Sequence, residues 1–182
     1  MKILTIFAAA AALAIGASPG SVQESAAAAQ QSSPPAPPSC DTAPYRAFDF
    51  WVGEWEVRTP QGQLTGTNSI QPINAGCALL ERYSIGGNPA GQSYNFFDPL
   101  RGIWTQLWLS RGVIIRMEGP PVEEGALTLD GTITYANQSE PRAFRGRWTA
   151  QDDGTVLQEF WERNPESGEW GVWFTGIYTR TE

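Results

Sequence analysis

The chain contains no histidine, and its only lysine is Lys2. The first absence excludes Ser-His and Cys-His catalytic pairs, imidazole ligation of haem and His-based zinc sites. The second leaves everything after Lys2 without an amine for Schiff-base chemistry. All remaining positive charge is arginine, scattered from Arg46 to Arg180, and the formal net charge is -7. An acidic chain with dispersed arginines offers neither a nucleic-acid groove nor a polybasic membrane patch, so neither partner is expected.

Cysteine is scarce as well, with Cys40 and Cys77 alone. In an oxidising compartment an even pair is read as a disulfide, which here ties the segment ahead of the first strand to the start of the third and removes both thiols as nucleophiles. A reactive thiol pair is the alternative, but the spacing is not Cys-x-x-Cys. Long apolar runs are confined to the beginning. Lys2 followed by the apolar run from Ile3 to Ile15 reads as a secretory signal within residues 1–29, with cleavage after Ala17 or Ala29. The run is too short for a stable transmembrane helix, and Pro37-Pro38-Ser39 before Cys40 is not lipobox-like. A periplasmic or secreted protein without a stable membrane anchor is expected. Residues 30–39, rich in Pro and Ser, read as a disordered leader, and residues 40–182 as one folded domain.

What the chain has in abundance is aromatic residues and turns. Eight tryptophans, five tyrosines and eight phenylalanines supply enough ring surface to fill a core and line a cavity. From Trp51 onward, short apolar or alternating runs are separated by turn residues. Strands are read near Trp51 to Thr59, Leu64 to Gln71, Ala78 to Ser84, Ser93 to Phe97, Ile103 to Ser110, Val113 to Glu118, Ala126 to Leu129, Thr132 to Ala136, Ala143 to Ala150, Thr155 to Arg163 and Trp170 to Thr179. Two of these can merge or form edge pieces. Gly86-Gly87-Asn88-Pro89, Asp98 to Gly102, Arg111-Gly112, Asp130-Gly131, Asp152-Asp153-Gly154 and Asn164 to Gly168 carry residues suited to reversing a strand. Uniformly short connections point to an all-β, up-and-down antiparallel β-barrel of about ten strands rather than a Greek-key sandwich. Thr42 to Asp49 reads as a short N-terminal helical turn over the floor. A barrel of this strand number has room for a small ligand.

Four ordered motifs carry a family resemblance. Phe48-Asp49-Phe50-Trp51-Val52-Gly53-Glu54-Trp55-Glu56-Val57, Gly76 to Glu81, Gly91 to Asp98 and Trp104-Thr105-Gln106-Leu107-Trp108 resemble the bacterial domain-of-unknown-function 1579 family. That family looks lipocalin-like, within the calycin superfamily, so the resemblance implies fold more than activity. Such barrels often begin with Gly-x-Trp, here Gly53-Glu54-Trp55, and pack a late-strand arginine over the tryptophan, a position Arg180 is placed to take. The related haem binders called nitrobindins hold iron through a histidine, which is missing here. No cofactor is expected. Asp152-Asp153-Gly154 lacks the other oxygen ligands of a calcium loop, so no metal site is expected either.

Alternation in the fifth strand puts Trp104, Gln106 and Trp108 on one face and Ile103, Thr105, Leu107 and Leu109 on the other. Either face can point inward. An aromatic-amide-aromatic stripe suits a ligand wall, and equally suits packing against the floor helix. Glu81 shares a face with Leu79 and Tyr83, which makes it either a rim charge or a polar group in the cup. A buried Glu81 needs partners, for which Arg145, Arg147 and Gln158 are the available donors. Asn95, with Ser93, shares a face with Phe97. The candidate ligand-binding set is therefore Glu81, Tyr83, Asn95, Phe97, Trp104, Gln106, Trp108, Arg147 and Gln158. The leading expectation is an exported barrel that binds a small hydrophobic or amphipathic molecule. The alternatives are a cofactor-free isomerase or hydratase, with Glu81 as acid or base and Arg147 or Tyr83 as support, and an envelope interaction module with a filled barrel. Oligomeric state is not legible.

Overall fold

A computed structural model describes residues 39–121 and 123–181. The expected signal segment and the leader up to residue 38 lie outside the described residues. Ten strands follow one another: β1 (Gly53–Arg58), β2 (Leu64–Ile73), β3 (Ala78–Ile85), β4 (Asn88–Asp98), β5 (Ile103–Ser110), β6 (Val113–Gly119), β7 (Ala126–Tyr135), β8 (Arg142–Ala150), β9 (Val156–Arg163) and β10 (Trp170–Arg180). Each pairs antiparallel with its sequence neighbours, and β1 pairs with β10 to close the barrel. The expected up-and-down barrel is therefore the observed fold.

Turn chemistry explains the connections. Between β3 and β4 only Gly86 and Gly87 lie outside the strands, with φ of 56° and 79°. A two-residue hairpin with positive φ at both positions matches the right-handed strand twist, which non-glycine residues rarely allow. Asn88 and Pro89, read from sequence as part of the turn, instead begin β4. One expected turn is absent. Asp130-Gly131 lies inside β7, which joins two of the eleven segments read from the sequence. Gly131 there faces the β6 backbone, and a Cβ would strike the Arg116 carbonyl. The glycine permits a close strand approach rather than a reversal.

One end of the barrel is closed by the segment ahead of β1. A one-turn helix α1 (Ala43–Arg46), begun by Pro44, leads into a 3-10 turn over Asp49–Trp51. This places Phe48 and Trp51, both fully buried, over the strand ends. Phe48 stacks on Trp51 at 4.8 Å between ring centroids and meets Trp148 and Trp104 edge-on at 5.2 and 5.7 Å. The Trp104 indole N–H donates to the Pro44 carbonyl at 2.9 Å, pinning α1 to β5. Beside them the Arg180 guanidinium sits 4.2 Å from the Trp55 ring centroid and donates to the Val52 carbonyl at 3.0 Å. Gly53, at φ 149°, is the residue this arrangement requires, because a Cβ would collide with that guanidinium. A Cys40–Cys77 disulfide ties the floor segment to the start of β3.

Candidate functional site

The opposite half of the barrel contains a cavity of about 140 Å³. Its walls are aromatic, and glycines make the space. The Tyr83, Trp108 and Phe160 rings lie over the inward positions of Gly66, Gly91 and Gly146 on neighbouring strands, each of which a Cβ would block. Because each ring can lie back against the wall, the centre stays open between Tyr83, Trp108, Ile115, Phe160 and Phe174. A register shift between Val172 and Phe174 in β10 lets both Trp173 and Phe174 reach this space, which strict alternation does not allow. Trp173 is 43 % exposed and stands at the mouth. Its indole donates at 3.0 Å to the Tyr135 hydroxyl, which donates to Glu162, itself paired with Arg142 at 2.6 Å. Burial, and the hydrogen bond to Glu162, push the Tyr135 pKa up to about 12, so the anchor stays neutral.

Between cavity and floor lies a polar layer. Strand register sets Ser93 opposite Glu81 and Asn95 opposite Gln106, so one cross-strand patch gathers four polar side chains that each strand period points inward. The Gln106 amide donates to Asn95 Oδ1 at 2.8 Å, Asn95 donates to Ser93 Oγ at 2.8 Å, and Ser93 donates to Glu81 Oε2 at 2.5 Å. From the other side Asn68 donates to Glu81 Oε1 at 2.7 Å. Tyr178 accepts a longer bond from Asn68 and donates to Gln158 Oε1 at 2.8 Å. Glu81 is 3 % exposed. Burial penalises its charged form and pushes its pKa up to about 7, against the lowering influence of the Ser93 and Asn68 donors. The Tyr178 phenol is raised well above its ordinary value, first by burial and then by the Glu81 charge, and the half-buried Tyr83 is raised by burial.

The nine residues expected from sequence divide into three groups. Glu81, Tyr83, Gln106, Trp108 and Gln158 line the cavity together, and Asn95 supports them one hydrogen bond behind. Trp104 and Phe97 share the inward face but lie at the floor, where Phe97 packs edge-on against Tyr45 at 5.1 Å. Arg147 is outside the barrel. It binds Thr128 and Glu123, while Arg145 pairs with Asp130, because both arginines alternate outward from the inward Phe144, Gly146 and Trp148 of β8. Neither is the expected partner of a buried Glu81, and Gln158, the third expected donor, lines the same cavity but accepts from Tyr178 instead. That role falls to Asn68 and Ser93. Asn68, Tyr178, Phe160, Phe174 and Trp173 were not identified from sequence. Asn68 and Tyr178 lie within strands expected from the sequence, but nothing in the alternation marks them as neighbours of Glu81 across the lumen.

No protein-family model and no curated protein matches this sequence.

Proposed function

We propose that this protein is an exported small-molecule carrier or sensor whose ligand enters the open half of the barrel. One observation carries this reading: a cavity walled by aromatic rings ends on three convergent polar side chains, Glu81, Gln106 and Gln158. Apolar walls with a few fixed polar groups are the usual form of a small-molecule site, the rings supplying contact area and the polar groups orientation. The volume is small. An engineered cavity of about 150 Å³ holds benzene, so the enclosed part of the ligand is the size of a single ring, with any longer tail passing Trp173 at the mouth. The apolar run behind Lys2 and the Cys40–Cys77 disulfide support export to an oxidising compartment. The four ordered motifs support kinship with the calycin-like family named above.

Titration with small aromatic and aliphatic compounds tests the reading, since Trp108 and Trp173 line the cavity and report through their fluorescence. A saturable change lost on narrowing the cavity supports it; no response across such compounds refutes it. A second reading, proton-transfer catalysis, draws on the Glu81 pKa of about 7, which suits a general acid or base. Tyr83 and Tyr178 are its available neutral supports, Arg147 being outside. Under that reading E81Q abolishes turnover and leaves binding of a neutral ligand intact. A barrel filled by its own side chains describes the floor half and not the mouth half.

A further inference from the structure

We propose that the occupant of the cavity is a small organic cation, an alkyl- or arylammonium whose N–H groups meet Glu81 while its apolar body lies between Tyr83, Trp108 and Phe160. The inference rests on the lumen-binding reading above and specifies its ligand class. Three independent observations carry it. The first is the direction of the hydrogen bonds around Glu81. Gln106 donates to Asn95, Asn95 to Ser93 and Ser93 to Glu81, while Asn68 donates to the other carboxylate oxygen. Ser93 and Asn68 thus place one donor on each carboxylate oxygen, the arrangement a negative charge requires, and the Gln106–Asn95 chain orients Ser93 behind it.

The second is that this charge lacks a counter-ion. Among the described residues no guanidinium pairs with Glu81: Arg142, Arg145 and Arg147 are held by Glu162, Asp130 and Glu123. A lone buried carboxylate is costly, and a ligand cation offsets that cost where a neutral ligand does not. The third is the wall. Tyr83, Trp108, Phe160 and Trp173 border the same space, and an aromatic ring attracts an ammonium group through its negative π-face. The net charge of -7 adds a long-range field that draws cations towards the protein.

The pH behaviour follows from the same geometry. The titratable groups facing Glu81 are Tyr83 on its own strand and Tyr178 from β10, both neutral near pH 7, while β2, β4, β5 and β9 contribute only the neutral Asn68, Ser93, Asn95, Gln106 and Gln158. The Arg142–Glu162 pair at the rim is internally neutralised. Ligand binding therefore follows the ionisation of Glu81 alone. With a pKa of about 7 in the empty cavity, the ionised fraction falls about 30-fold from pH 8 to pH 5.5, and the affinity for a cation falls with it.

The test is calorimetric titration of the full chain with benzylammonium and its neutral counterpart benzyl alcohol, at pH 8 and pH 5.5, on the wild type and on E81Q. Benzylammonium is expected to bind the wild type at least 10-fold tighter than benzyl alcohol at pH 8, to weaken about 30-fold at pH 5.5, and to lose its advantage in E81Q. Benzyl alcohol is expected to change by less than about 3-fold across both perturbations, which also shows that E81Q retains its cavity. Binding of benzyl alcohol without a preference for benzylammonium overturns the cation inference and leaves the lumen reading standing. An affinity for benzylammonium that is unchanged at pH 5.5 or in E81Q also overturns it. If neither compound binds the wild type, both readings fall.

Discussion

Replacing Glu81 by Gln should make the ligand-free protein more stable at alkaline pH and about 1 kcal/mol less stable in acid. Burial raises the Glu81 pKa from its ordinary 4.5 to about 7, so between these values the folded state holds a proton that the unfolded chain has released. The stability linked to this proton is fully present below pH 4.5 and is lost as pH rises towards 7, levelling off above it. The difference corresponds to roughly 3 kcal/mol, a large share of the 5 to 15 kcal/mol typical of a domain. Gln keeps the shape and cannot ionise, so the variant lacks this loss, apart from a cost of about 1 kcal/mol for turning an amide N–H towards Ser93. Asp41, Glu118 and Asp153 are held below their ordinary pKa values by hydrogen bonds and contribute in the opposite sense, but they are common to both proteins and cancel in the comparison. Urea unfolding of both proteins at fixed ionic strength from pH 4 to 8.5 measures the gap. The stability difference should grow by about 3 kcal/mol in favour of E81Q, with its midpoint between pH 5 and 7. Parallel stability profiles for the two proteins would refute the claim that Glu81 is buried without a counter-ion.

Other consequences are tested separately. Gly91→Ala puts a methyl group where the Trp108 ring lies, so the ring should swing into the lumen, costing about 1 to 3 kcal/mol in urea unfolding and blocking the fluorescence response to ligands. Removing the Cys40–Cys77 bond, which spans 37 residues of sequence, should lower stability by about 3 to 4 kcal/mol while leaving the distant cavity competent, as calorimetry of C40A/C77A would show. Arg180→Ala uncovers the Trp55 ring and frees the Val52 carbonyl, for an expected loss of about 1 kcal/mol and a shift in tryptophan emission. Tyr135→Phe removes the hydroxyl that holds the Trp173 indole, so stopped-flow measurement should show faster ligand association with little change in overall stability.

The barrel was legible because its determinants are local. Period-two alternation and glycine-bearing turns specify antiparallel neighbours without any knowledge of distant contacts, whereas the packing of Arg180 over Trp55, where β1 meets β10, was implied only by the family resemblance. Asp130-Gly131 misled for a local reason too: the same dipeptide serves a reversal or a close strand approach, and only the neighbouring strand decides. The site was less legible. Alternation put Glu81, Tyr83, Gln106 and Trp108 on inward-capable faces but carries no depth, so Trp104 and Phe97 were grouped with the lumen although the floor segment covers them. The chemistry of Arg147 suits a buried carboxylate, but the parity of β8 directs it outward. The bulge that turns both Trp173 and Phe174 towards the cavity leaves no mark in the pattern.

Under the proposed function, one half of the barrel is a sealed floor and the other, above Glu81, is open to a ligand. Indole N–H resonances of the eight tryptophans report both halves at once, in nitrogen-15 labelled protein titrated with benzylammonium and with benzyl alcohol. Whichever compound binds should move the Trp108 and Trp173 resonances at saturation and leave Trp51, Trp55, Trp104 and Trp148 in place. Shifts confined to Trp161 and Trp170, which lie beside Arg145 and Arg147 on the outer surface, or centred on the floor residues, would contradict it.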